Sequence, residues 1–273
     1  MLVGISYSME TAMGERSGYQ HGVPCWVDTW QADPETAVPF YAGVFAWEAQ
    51  VPPPGEEPRY VMFQLDGADV AGLGSPPPDG VGPAWTTYVW VDDVDEAVAQ
   101  ATAAGGSAVR EPFDSLEGGR MAIVADPAGA PVAVWQPGAH RGAERVNEPS
   151  AYAMSMLLTP DPEGAAAFYG AVFGWTTEAF GPATMFRLPG YVGGEPSQPV
   201  SREVVAAMMP SDGDARWTVD FWIADADAAA RAATERGGRV LDGPSDAPPF
   251  RRAVLADPAG ADFSVSQLVT PPS

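Results

Sequence analysis

The chain has 273 residues, 46% apolar and 10% aromatic, enough for two domains of about 120–135 residues that each bury a core. Its formal charge is −22, from 36 acidic residues against 14 basic ones that are all arginine, which opposes nucleic acid and anionic membranes as partners. No apolar run reaches the about 20 residues that cross a bilayer. Residues 1–20 lack the basic start and apolar centre of a secretory signal, and the single cysteine, Cys25, has no internal partner for a disulfide, so a cytoplasmic protein is expected.

After an N-terminal extension over 1–21, residues 24–31 read as a strand rich in Val, Trp and Thr. Asp33 stands where a helix N-cap belongs, with Pro34 at the first helical position, where its missing N–H costs nothing. Phe40, Val44 and Trp47 recur at helical spacing and should face the core. Residues 60–65 and 70–73 read as strands joined by the Asp66-Gly67 turn. A second unit follows, with a strand over 85–91, a helix over 94–104 and a stop at Gly105-Gly106. Strands over 121–124 and 131–136 then close across the turn Asp126-Pro127-Ala128-Gly129. Residues 138–149, polar and rich in charge, read as a linker. The series then repeats: strands over 151–158 and 217–223, a helix over 227–236, Gly237-Gly238, and strands over 253–255 and 262–267.

The repeat is close in detail. Asp33-Pro34-Glu35 leading to Phe40-Tyr41 and Trp47 matches Asp161-Pro162-Glu163 leading to Phe168-Tyr169 and Trp175. Asp126-Pro127-Ala128-Gly129 matches Asp257-Pro258-Ala259-Gly260. A period near 130 residues is too long for a solenoid and indicates duplicated domains, here placed at 22–137 and 150–268. With Val91-Asp92-Asp93 at a helix start, these motifs in fixed order resemble the vicinal oxygen chelate superfamily of glyoxalases, bleomycin-resistance proteins and extradiol dioxygenases. The resemblance runs from Pro24 to Leu268, and within the family the chain is similar to two-domain actinobacterial glyoxalase-like proteins. It implies an α+β fold of two tandem vicinal-oxygen-chelate domains. Each domain would hold paired βαβββ modules forming an open curved sheet around a cavity.

In metal-dependent members of that superfamily, His, Gln or Glu side chains occupy four cavity-facing strand positions. By the resemblance these fall on Trp26, Thr86, Ala133 and the vicinity of Gly72 in the first half, and on Met154, Thr218, Ser264 and the vicinity of Ala207 in the second. Indole, thioether and methyl groups do not hold a hard divalent ion, so no metal and no other cofactor is expected. The two histidines, His21 and His140, lie in the extension and the linker and read as surface residues.

Strand alternation from those positions gives the rest of each cavity face. The first half offers Trp26, Asp28, Trp30, Thr86, Tyr88, Trp90, Ala133 and Trp135; the second offers Met154, Met156, Leu158, Thr218, Asp220, Trp222, Ser264 and Ser266. Such faces suit a flat apolar or aromatic ligand, with Asp28 and Asp220 as polar anchors or general bases. The alternative is that the aromatics simply fill the interior. Cys25 falls on the opposite face and reads as a small buried residue.

Three functions stay open on the sequence. The first is a metal-free protein that binds a hydrophobic aromatic natural product, in antibiotic self-resistance or biosynthesis. The second is a metal-independent tailoring enzyme of isomerase or cyclase type with Asp28 or Asp220 as base, and the third is a divalent-metal lyase or dioxygenase. The expected partner is a small molecule, and the fused halves are expected to pair within one chain, as a monomer or homodimer.

Overall fold

The computed structural model describes residues 15–53, 55, 59–77, 82–115, 117–193 and 201–269. The first half runs β1 (Pro24–Trp30), α1 (Pro34–Phe45), β2 (Glu48–Gln50), β3 (Arg59–Leu65), β4 (Ala68–Ser75), β5 (Trp85–Trp90), α2 (Val94–Ala103), β6 (Ser107–Ser115), β7 (Gly119–Ala125) and β8 (Pro131–Pro137). The second repeats it as β9 (Tyr152–Thr159), α3 (Pro162–Phe173), β10 (Thr176–Phe180), β11 (Ala183–Arg187), β12 (Val204–Pro210), β13 (Arg216–Trp222), α4 (Ala226–Glu235), β14 (Arg239–Ala247), β15 (Phe250–Ala256) and β16 (Asp262–Leu268). Each half is a pair of βαβββ modules.

Each helix begins under an aspartate whose carboxylate accepts from a backbone N–H three residues on: Asp33, Asp93, Asp161 and Asp225. Each half forms its own open eight-stranded sheet, in the orders β2-β3-β4-β1-β5-β8-β7-β6 and β10-β11-β12-β9-β13-β16-β15-β14. The modules meet at antiparallel central pairs, β1 with β5 and β9 with β13, flanked by parallel strands. This places Asp28 beside Gly72 on one side and Thr86 on the other, and Asp220 beside Met154 and Ser264.

The cores are shared between the halves, a departure from one core per half. Phe45 of α1 packs on Phe221 and Phe263 of the second sheet as well as on Trp47, and Tyr41 lies between Phe63, Trp85 and Phe263. A matching cluster joins Phe168 and Tyr169 of α3 to Val124, Val132 and Val134 of the first half. The contacts are reciprocal. The Tyr41 hydroxyl donates to Asp257 over 2.8 Å, and the Tyr169 hydroxyl to Asp126 over 3.2 Å. Those aspartates also accept backbone N–H groups of their own Asp-Pro-Ala-Gly turns. Gly106 and Gly238 let Phe168 and Phe40 approach, since a Cβ at either would stand 2.6 Å from the ring. The central strands touch through Thr87 and Ser155, 2.6 Å apart. The outer faces of the two sheets therefore meet, and the inner faces point away from that contact.

The outermost strands β2, β6, β10 and β14 went unread in the sequence, as did β11 and β12 beside β10. β6 and β14 are largely exposed, and β10 entirely so, which removes the alternating apolar signal that marks a strand.

Candidate functional site

On the concave face of the first half, β1 supplies Trp26, Asp28 and Trp30, β5 supplies Thr86, Tyr88 and Trp90, and β8 supplies Ala133 and Trp135. Most of this face is closed: Trp26, Asp28, Tyr88, Ala133 and Trp135 are buried, while Trp30 and Thr86 are half-buried. Asp28, only 1% exposed, is its centre rather than a solvated residue at a strand edge. One carboxylate oxygen, Oδ2, accepts from Tyr88 over 2.8 Å and from Tyr60 over 3.0 Å. The other, Oδ1, has no hydrogen-bond partner. Burial pushes the Asp28 carboxyl up to about 7, against the opposing pull of the Tyr88 and Tyr60 hydroxyls.

Tyr60, which sequence reasoning missed, comes from β3, two strands out from β1. It reaches Asp28 because Gly72 lies between them: a Cβ on Gly72 would stand 2.1 Å from the Tyr60 hydroxyl. The Trp26 indole donates to the same hydroxyl over 2.9 Å. A glycine inside a strand is the signal that marks such an approach.

His140 corrects the surface reading. Its ring sits edge-on to Trp26 at 4.4 Å and to Trp135 at 5.7 Å, and Trp135 donates to its carbonyl. Burial lowers its imidazole pKa, and Nε2 has no partner. Trp90 shares the face by alternation but lies at the strand end, beside Tyr19 and under the Arg141 guanidinium. The 138–149 segment packs against the first sheet, with Ala143 bonded to Cys25 and Glu144 to Asp69. Cys25 itself is buried, and burial pushes its thiol far up, against a role as nucleophile.

The second half differs. Met154, Met156 and Leu158 of β9, with Thr218, Asp220 and Trp222 of β13, are all half-buried. The residues between them, Ser155, Leu157, Val219 and Phe221, point to the other half and are fully buried. Ser264 and Ser266 of β16 are buried, and the described residues leave the β9 and β13 side chains of this concave face partly accessible. At its centre Asp220 Oδ1 accepts from Ser264 and from Ser266, the latter over 2.8 Å. Arg252, from β15, donates Nε to Ser266 over 3.0 Å and Nη2 to Ser264 and Asp220 over 3.3 Å each. Arg252 was also missed; it faces Ser266 across the β15–β16 ladder, in a strand without clean alternation.

The residues that the superfamily resemblance places at metal-ligand positions do not fit a metal. Trp26, Gly72, Thr86 and Ala133 stand there in the first half, and Met154, Ala207, Thr218 and Ser264 in the second, with no imidazole or carboxylate among them. Among the described residues no three His, Cys, Asp or Glu side chains gather as a ligand set.

Known proteins resemble both halves. A family model described as "Glyoxalase/Bleomycin resistance protein/Dioxygenase superfamily" matches residues 26–134, and one described as "Glyoxalase-like domain" matches 142–266. CFP32 of Mycobacterium tuberculosis, a provisionally named glyoxylase, is 38% identical over 258 residues, covering 93% of this chain and 97% of its own. The anthracycline biosynthesis protein DnrV of Streptomyces peucetius is 34% identical over 262 residues, covering 90% and 94%. In fold, the Mn(II)-bound glyoxalase of Novosphingobium aromaticivorans aligns with TM-score 0.63 at 18% identity, over 92% of this chain and 83% of that one. The 2,3-dioxygenase LapB of Pseudomonas sp. KL28 aligns with TM-score 0.62 at 14% identity, over 96% of both chains. Two matched halves and relatives aligned along nearly their full length lead to one assignment: the chain belongs to the glyoxalase/bleomycin resistance protein/dioxygenase superfamily.

Proposed function

We propose that this protein binds a hydrophobic aromatic natural product without a metal, on the concave face of its second half, in antibiotic self-resistance or biosynthesis. One observation carries the reading: Met154, Met156, Leu158 and Trp222 form an accessible apolar wall around the polar group of Asp220, Arg252, Ser264 and Ser266. Apolar walls with a few fixed polar groups are what small-molecule pockets use, and methionines adapt to a ligand's outline. The kinship with a protein named for anthracycline biosynthesis supports an aromatic ligand.

Titrating the protein with polycyclic aromatic antibiotics, anthracyclines included, should quench tryptophan fluorescence. Met156→Asp, which sets a charge in the apolar wall, should weaken binding at least tenfold. Absence of quenching across the panel removes the reading. Metal analysis of the purified protein should find less than one ion per chain; a stoichiometric ion overturns the metal-free part.

A second reading, a tailoring step with Asp28 as general base, is favoured by that carboxyl's pKa of about 7 and its unpartnered Oδ1. Its burial requires the first half to open to admit a substrate. Asp28→Asn should then abolish turnover of a bound intermediate while leaving binding intact, and unchanged turnover discards it.

A further inference from the structure

The first half is closed by a residue from outside its sheet. After β8 the chain lies along the β6–β7 turn, where Ala139 donates to the Glu117 carbonyl over 2.9 Å and His140 to that of Gly118 over 3.0 Å. Further on, Arg141 donates to Ser17 over 2.9 Å and Ala143 to Cys25 over 2.7 Å. The backbone on either side of His140 is thus fastened, and the imidazole is set against both Trp26 and Trp135.

Behind that ring, two routes converge on one carboxylate. Trp26 donates to Tyr60, and Tyr60 to Asp28. Trp135 stands edge-on to Tyr88 at 6.3 Å, and Tyr88 also donates to Asp28. His140 meets the first member of each route, so its position bears on the whole group. Its own hold is slight: the side chain rests on ring contacts, and its Nε2 is buried without a partner. Asp28 Oδ1 is a second such atom. Each forgoes a hydrogen bond that water would supply on opening, and an unpaired buried polar group costs stability. A fastened backbone, a weakly held ring and two unpaired polar atoms make rotation of this one side chain a low-cost opening.

We propose that His140 is a swinging wedge that closes the first half, and that its turn into solvent opens a passage between Trp26 and Trp135 to Asp28. The sheet and the backbone of the segment that carries His140 stay in place. This gate is independent of the ligand site in the second half, and it supplies the entry that a reaction at Asp28 requires.

Hydrogen exchange of the indole N–H groups, followed by NMR, tests the gate. Trp26 should exchange through a local opening, at a rate that low denaturant leaves unchanged. Trp47 and Trp175, whose indoles donate to the carbonyls of Ser150 and Gly22, should exchange only through larger openings that denaturant promotes. His140→Gly should speed Trp26 exchange by about tenfold or more and leave Trp47 and Trp175 within about twofold. 4-Methylimidazole, which replaces the lost ring, should restore protection as its concentration rises. Water reaching Oδ1 should also bring the Asp28 carboxyl, read by carbon NMR, from about 7 toward 3.8. His140→Ala gives the same readouts if the glycine variant does not fold. Unchanged Trp26 protection, equal acceleration of all three indoles, or no restoration by 4-methylimidazole overturns the wedge. An Asp28 carboxyl that stays near 7 in the open variant overturns the passage. If neither variant folds, the wild type decides: a Trp26 rate that climbs with denaturant as steeply as that of Trp175 overturns the proposal.

Discussion

The two halves share one scaffold and treat their concave faces in opposite ways. In the first, Trp26, Tyr60, Tyr88 and Trp135 fill the space and hydrogen bonds run inward to a buried carboxylate. In the second, the positions of Trp26 and Asp28 hold the half-buried Met154 and Met156, and the position of Trp135 holds the smaller, buried Ser266. Duplication supplied two similar sheets, and a few exchanged side chains closed one face and left the other accessible. The architecture therefore does not set the two faces apart; the side chains on the central strands do.

The largest test of this contrast compares matched positions. Trp26→Ala should cost about 3–5 kcal/mol in denaturant unfolding, as truncation of a packed aromatic does. Met154→Ala, at the equivalent place in the accessible half, should cost about 1 kcal/mol. Equal losses would show that both faces are filled alike.

The buried carboxylate gives the next effect. Because the Asp28 pKa is about 7 in the folded chain and 3.8 in its ordinary state, the folded form holds the proton more tightly between those values. The contribution of this group is fully present below about pH 4 and is lost as pH rises toward and past 7. Over that range it reduces stability by up to about 4 kcal/mol. Asp28→Asn should flatten that part of the stability profile, and a wild-type slope that survives the substitution assigns it elsewhere.

Where the halves agree, they should respond alike. Tyr41→Phe and Tyr169→Phe each remove a buried hydroxyl from an aspartate of the opposite half, and each should cost about 1.5–3 kcal/mol in thermal or chemical unfolding. A large loss from one and none from the other would show that the halves are not held reciprocally. The smallest effect is optical. Trp222→Phe should remove a larger share of acrylamide-accessible fluorescence than Trp26→Phe, because Trp222 is half-buried and Trp26 is 3% exposed.

Much of the fold could be read from residues. The Asp-Pro helix starts, the Phe-Tyr pair and the Asp-Pro-Ala-Gly turns repeat in register, and the inner strands carry apolar alternation. What those motifs bind could not be read. Tyr41 and Asp257 are 216 residues apart, and no local pattern says that a helix tyrosine of one half closes a turn in the other. Strand alternation brought out Asp28 with its partner Tyr88, and Asp220 with Ser264 and Ser266, but not the residues that complete either group. Tyr60 reaches Asp28 only across the gap left by Gly72, His140 arrives from a segment without periodicity, and Arg252 sits in a strand where two arginines adjoin. Exposure was equally out of reach, because Trp-rich and Met-rich faces read alike until neighbouring side chains fill one of them.

The tyrosines that cross between the halves bear on how the chain tolerates damage. Each half covers the other's outer sheet face and completes its turn, so the peptide between them serves as a tether that keeps two complementary surfaces at high effective concentration. A single backbone cut within 138–149 would leave two fragments still clasped together. Deleting either half would strip apolar surface bare on the survivor.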